Sequence, residues 1–187
     1  MFFSKLAAVS ALAFAAFSAA APTTSSDQVT VILTQLKSNV NEPCTFLAAT
    51  NANTAQSDIV SHITQLTTHI NTACGQVNAM GSAPIEDIPL GALTALLGEI
   101  ISIVIGALTG LLKCAETIPA LLAVVLPLVI AAATALLTLV TAICGKVVGL
   151  ALIVLVGPVL TLLATATGLL SSLLGGALKC IAGLTTL

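Results

Sequence analysis

The sequence predicts an all-α fold: a disulfide-stapled helical bundle in which an amphipathic helical hairpin is followed by three to four strongly hydrophobic helices. Three observations lead to this prediction. Apolar residues recur at helical spacing through the front half, long stretches of the rear half contain no charged residue, and five cysteines stand near predicted helix ends. These features favour one folded unit with two chemically different halves.

Residues 1–20 have the features of a secretory signal peptide. A short start with one lysine precedes an apolar run over residues 6–17, and small residues ending at Ala20 provide a cleavage site. The run is shorter than the ~20 apolar residues that a spanning helix requires. We therefore expect secretion to the cell exterior or wall, with a polar hairpin over residues 21–84 and a hydrophobic helical region over residues 85–187.

The composition excludes nucleic acid as a partner. Hydrophobic residues make up 58% of the chain and charged residues only 6%, against about 25% charged in ordinary domains. With a net charge of −2 and five basic residues, the chain cannot form the basic patch that binds a phosphate backbone. The weak charge also gives little attraction to anionic lipid headgroups.

Two amphipathic helices are predicted in the front half. The first begins near Ser26 and is ended or kinked by Pro43, and the second begins near Ser57. Their apolar positions follow helical spacing: Val29, Ile32, Leu33, Leu36 and Val40 in the first, and Ile59, Ile63, Leu66, Ile70, Ala73 and Val77 in the second. The Thr-Gln-Leu sequence of residues 34–36 and Cys44 both recur thirty positions later, which indicates a duplicated helix.

The rear half is apolar on every face. Residues 117–145 and 147–178 contain no charge, so a helix formed there must be buried in protein, lipid or an assembly. Lysines near predicted helix ends complement the helix dipole, and Pro119 suits a first helical turn. We expect helices near residues 89–114, 118–145, 146–156 and 159–182, the second of them kinked at Pro127.

Five well-separated cysteines in a secreted chain favour disulfides over a zinc or thioredoxin-like site, because no CxxC pair is present. A helical step of about 30 residues covers about 45 Å, whereas bridged Cα atoms lie about 5–6 Å apart. Consecutive cysteines of an up-and-down bundle therefore lie at opposite ends. We expect a Cys74–Cys144 bridge and one bridge among the other three cysteines. Cys44–Cys114 is the leading choice, which leaves Cys180 unpaired or available to link two chains.

No group of residues points to catalysis, and we expect no enzymatic activity, cofactor or metal. His62 and His69 share a helix face but lie about 10 Å apart, too far for one tetrahedral metal ion, and we expect both to be solvated. Asp58, Ser61 and His62 lie on one helix, which cannot align them as a catalytic triad. We expect the carboxylate of Glu99 to reach a polar face or a helix end.

The layout of the chain combines a signal ending near Ala20-Ala21-Pro22, a Thr/Asn/Gln-rich front half and a Leu/Val/Ala/Gly-rich rear half from Pro89 onward. This layout resembles a family of small proteins that mushroom-forming fungi secrete. The resemblance implies a structural protein of the extracellular matrix that coats aerial hyphae and aids attachment to hydrophobic surfaces. The chain departs from hydrophobins, whose cysteines are more numerous and include adjacent pairs.

Three functions fit these features. The first is a secreted amphiphilic protein that self-associates or adsorbs at an air–water interface, a lipid or another hydrophobic surface, because two amphipathic helices cannot cover three or more apolar ones. The second is an integral membrane protein with two to four transmembrane helices, although the aromatic belt and Lys/Arg clusters typical of that class are missing. The third is a secreted helical bundle that binds a lipid, although no polar residues are placed to orient a ligand.

Overall fold

The described part of the protein is all-helical, as predicted. A computed structural model describes residues 25–80, 90–147 and 157–161, together with residues 164, 167 and 168. Four long helices account for most of these residues: α1 (Ser25–Ala48), α2 (Gln56–Ala79), α3 (Leu90–Ala115) and α4 (Pro119–Lys146). Residues 157–161 are also helical. The predicted signal peptide, Cys180 and most of the two expected helices after residue 146 lie outside the described residues.

Helix α1 continues through Pro43 and ends at Ala48, so the possibility that this proline ends the helix is excluded. A proline inside a helix removes one backbone hydrogen bond. Pro43 is itself buried, and Cys44 and Leu47 beyond it are also buried, so packing offsets the lost bond. Helix α4 likewise runs through Pro127 without a break.

The four helices form two layers. We call α1 and α2, joined by residues 49–55, the polar hairpin, and α3 and α4, joined by residues 116–118, the apolar hairpin. Helix α1 packs on α2 and α3, whereas α4 packs on α2 and α3. The amino group of Lys146 donates a hydrogen bond to the carbonyl of Met80, which brings together the C-terminal ends of α2 and α4. These two neighbours therefore run parallel, and so do α1 and α3.

The core between the layers is entirely apolar. No polar or charged side chain of the described residues is buried. The buried residues of the polar hairpin occur in pairs thirty positions apart: Val29 and Ile59, Leu33 and Ile63, Leu36 and Leu66, Val40 and Ile70, Pro43 and Ala73, Cys44 and Cys74, and Leu47 and Val77. The thirty-residue repeat in the sequence is thus also seen in the structure, since both helices pack the equivalent apolar positions against the core.

Replacing Leu33 by Ala should lower the free energy of unfolding by about 2–5 kcal/mol, because Leu33 is 0% exposed and its truncation leaves a cavity. Leu90→Ala is the matched control, since Leu90 is 39% exposed and should change stability by less than about 0.5 kcal/mol. Urea denaturation followed by circular dichroism measures both values. Similar effects of the two substitutions would contradict the position of α1 in the core.

Candidate functional site

The outward face of the polar hairpin carries short polar side chains. Its exposed residues are mainly Thr, Asn, Ser and Gln, and those along α2 include Ser61, Thr64, Gln65, Thr68, Asn71 and Thr72. Only four residues of α1 and α2 are acidic or basic at neutral pH: Asp27, Lys37, Glu42 and Asp58. This face therefore interacts with water through hydroxyl and amide groups more than through charge.

The apolar hairpin exposes small side chains. Apart from Pro119 in the first turn, the exposed residues of α4 form one row at helical spacing, which we call the α4 stripe: Ala120, Ala123, Pro127, Ala131, Thr134, Thr138, Thr141 and Gly145. The exposed positions of α3 are mostly Gly, Ala and Ser, interrupted by Glu99 and by Lys113 in the last turn. Most of the larger Leu, Ile and Val side chains belong to the core or are partly buried against it. The outer surface of this hairpin is thus weakly polar and almost uncharged.

The threonine hydroxyls of the α4 stripe are bonded to the helix backbone. Thr134 donates to the carbonyl of Ile130 at 2.8 Å, and Thr138 donates to the carbonyl of Thr134 at 2.8 Å. Thr141 donates to the carbonyl of Leu137 at 3.0 Å. Because these protons already have acceptors, the stripe can lie against an apolar surface without leaving a hydroxyl donor unpaired. The exposed threonines of α2 are bonded in the same way, as Thr68 is to the carbonyl of Thr64. Sequence reasoning missed this feature, although threonines spaced by three and four in an apolar helix are its signal.

Helices α3 and α4 are both long and apolar enough to cross a membrane, by length and composition alone. About half of the most apolar stretch of each helix is buried inside the protein. Core helices of water-soluble proteins have the same properties, so the finding is compatible with an interfacial role and with a membrane-spanning one.

An ion pair between described residues joins the polar hairpin to the apolar hairpin. The Nζ atom of Lys37 on α1 lies 2.5 Å from Oε2 of Glu99 on α3, and the two side chains are 42% and 56% exposed. Glu99 therefore reaches the aqueous edge of α3, as expected from the sequence. A pair this exposed contributes only about 0–1 kcal/mol to stability. Its main effect is to hold the carboxylate of Glu99 beside α1 at the aqueous edge of α3.

The described cysteines are free thiols, and the disulfide staples predicted from the sequence are not seen. Cys44 and Cys114 lie near the C-terminal ends of the parallel helices α1 and α3, and Cys74 and Cys144 near those of α2 and α4. Burial raises the pKa of the Cys44 thiol to about 12 and also raises the pKa of Cys144. Cys44 and Cys74 are buried and pack in the core as small apolar side chains. In the structure, apolar packing rather than cross-linking joins the two hairpins.

The two histidines are partly buried rather than fully solvated as expected from the sequence. The ring of His62 stacks on Phe46 of α1, with the ring centroids 3.9 Å apart, and its Nδ1 atom is buried without a hydrogen-bond partner. Burial lowers the pKa of His69, and the nearby carboxylate of Glu42 partly opposes this shift. Both side chains thus lie at the contact between α1 and α2.

The candidate functional site is an extended surface rather than a cluster of reactive groups. In the described ranges, no group of three or more His, Cys, Asp or Glu side chains could hold a metal ion. No protein-family model, curated protein or solved structure matches the chain. The two outer faces of the bundle, one hydroxyl-rich and one formed by the α4 stripe, are the surfaces to which a function can be assigned.

After reduction, Cys44 should react with iodoacetamide more slowly than Cys114 in the folded protein. Cys44 is 2% exposed and its pKa is about 12, so both access and the thiolate fraction are low, whereas Cys114 is partly exposed. Timed alkylation with peptide mass spectrometry measures the two rates, and unfolding in urea should make them similar. Equal rates in the folded protein would show that Cys44 is not buried.

The free energy of unfolding should decrease as the pH falls below about 6.5, the ordinary pKa of histidine. Because the pKa of His69 is lowered in the folded protein, the unfolded chain binds a proton more readily over this range. Urea titrations at pH 7.5 and 5.5 measure the decrease, which should be smaller in His69→Gln. The same decrease in both proteins would exclude His69 as its source.

Proposed function

We propose that the chain is a secreted, surface-active structural protein that adsorbs or self-associates where water meets a hydrophobic surface. The contrast between its two outer faces carries this proposal. The polar hairpin exposes Thr, Ser, Asn and Gln side chains along both of its helices, whereas the α4 stripe exposes mainly Ala, Pro and Gly with only three threonines. Such a molecule lowers its free energy at a boundary because apolar area leaves water, at about 25 cal/mol per Å².

The orientation at the surface follows from the two layers. The apolar hairpin lies on the hydrophobic side and the polar hairpin lies toward water. Hydroxyl and amide groups keep the aqueous face hydrated with little net charge, which favours close packing of neighbouring copies. The resemblance to secreted proteins of mushroom-forming fungi supports a coat on hyphae or on the wall that aids attachment.

The proposal includes disulfide bridges in the secreted protein. An oxidising exterior favours bridges, and the parallel neighbours α2 and α4 carry Cys74 and Cys144 near the same end of the bundle. Cys44 and Cys114 are similarly placed on α1 and α3. Non-reducing electrophoresis and peptide mapping of secreted protein would show these bridges, and a Cys44–Cys74 bridge would contradict them.

A second candidate function is an integral membrane protein that uses α3 and α4 as spans, for which both helices are long and apolar enough. Fractionation of producing cells distinguishes the two functions. Protein recovered from the medium, or released from the wall without detergent, supports the surface-active function. Protein that stays in the membrane pellet after extraction with alkaline carbonate supports the membrane function. Stoichiometric lipid in mass spectra of the purified protein would instead support a lipid carrier.

Replacing Ala131 by Lys should reduce adsorption to oil droplets severalfold, because it places an ammonium group in the middle of the α4 stripe. Thr68→Lys is the matched control, since it adds the same charge to an exposed position of α2, on the face that remains in water. The protein bound to hexadecane droplets after centrifugation measures adsorption. Equal loss in both variants would contradict the proposed orientation.

A further inference from the structure

We propose that Glu99 restricts the apolar hairpin to the boundary of a hydrophobic phase and prevents it from inserting through a lipid bilayer. This inference rests on the proposed function and specifies the kind of surface that the apolar hairpin can occupy.

Glu99 is the one charged residue of α3 and α4 that stands away from the helix ends. Lys113 and Lys146 lie in the last turns of α3 and α4, where a long side chain can extend to the water beyond a membrane surface. Glu99 lies about 14 Å along the helix axis from Leu90, the first residue of α3. If α3 crossed a bilayer, Glu99 would thus lie near the middle of a hydrocarbon core about 30 Å thick.

In the folded protein Glu99 has both water and a counter-ion. Its side chain is 56% exposed, and its Oε2 atom accepts a hydrogen bond from Nζ of Lys37. The cleft beside this pair is lined by Thr34, Lys37, Ser38 and Asn41 of α1 and by Ile103 of α3. Helix α1 therefore supplies a polar surround for the one position of α3 that needs it.

Insertion and adsorption differ in what happens to this carboxylate. Insertion removes water and separates Glu99 from Lys37, and a charge at the centre of a spanning helix lowers the inserted fraction by about two orders of magnitude. Adsorption leaves the pair intact, because α1 packs on α3 and not on α4, which carries the stripe. The pair can therefore remain in water while the α4 stripe contacts the hydrophobic phase.

The test uses the full secreted chain with phosphatidylcholine vesicles, and insertion is measured as the fraction that resists alkaline carbonate. Glu99→Leu should raise this fraction at least tenfold, and Glu99→Gln should raise it by a smaller factor. Ser102→Leu is the matched control, because it adds the same side chain at an exposed position one turn along α3 and should leave the fraction unchanged. Lys37→Gln, which retains the carboxylate, should also leave it unchanged.

A wild-type chain that already resists carbonate would overturn the inference, and so would Glu99 variants that do not differ from wild type. A rise in Ser102→Leu equal to that in Glu99→Leu would also overturn it, because added hydrophobicity would then be the cause. Binding to oil droplets is measured in the same preparations. If the wild type does not bind droplets, the proposed function is rejected. In that case, increased insertion of Glu99→Leu would still support the role of Glu99.

Discussion

The fold depends on the apolar seam between the polar hairpin and the apolar hairpin. Helices α1 and α2 each have one stripe that must leave water, and α3 and α4 provide the surface that receives both stripes. The hydrophobic effect that holds the seam together is non-directional, and none of the described polar side chains is buried there to add directional bonds. The polar links between the layers, from Lys37 to Glu99 and from Lys146 to the carbonyl of Met80, lie outside this apolar core.

The same seam determines which residues of the two hairpins face outward. The polar hairpin covers one side of α3 and α4. The exposed positions on the rest of these two helices carry few large residues, and Gly, Ala and Thr predominate there. Thr134 and Thr138 contribute polarity without a free donor, because their protons are bonded within α4. One face of the molecule thereby exposes many more polar side chains than the other, and the proposed adsorption to a hydrophobic surface depends on this difference.

Local features of the sequence predicted local features of the structure. Helical spacing located the first residues of α1 and α2 and both ends of α3 and α4 to within one residue. The thirty-residue repeat indicated a duplicated helix, and α1 and α2 share a buried stripe at that spacing. Features that depend on which helices are neighbours were missed or misjudged. The stacking of His62 on Phe46 and the pairing of Lys37 with Glu99 join residues far apart in the chain, and no spacing rule relates them. The expectation that Pro43 could end α1 was wrong, because burial can offset the backbone hydrogen bond that a proline removes.

The surface tension of a pendant drop of purified residues 21–187 tests the central claim most directly. If the exposed face of the apolar hairpin adsorbs to a hydrophobic phase, the surface tension should fall well below that of a drop containing a charged, water-soluble helical bundle of equal size and concentration. A viscoelastic film should then form as copies pack side by side. A tension that stays at the value of the control, from a chain that sediments as a monomer in plain buffer, would contradict the amphiphilic function.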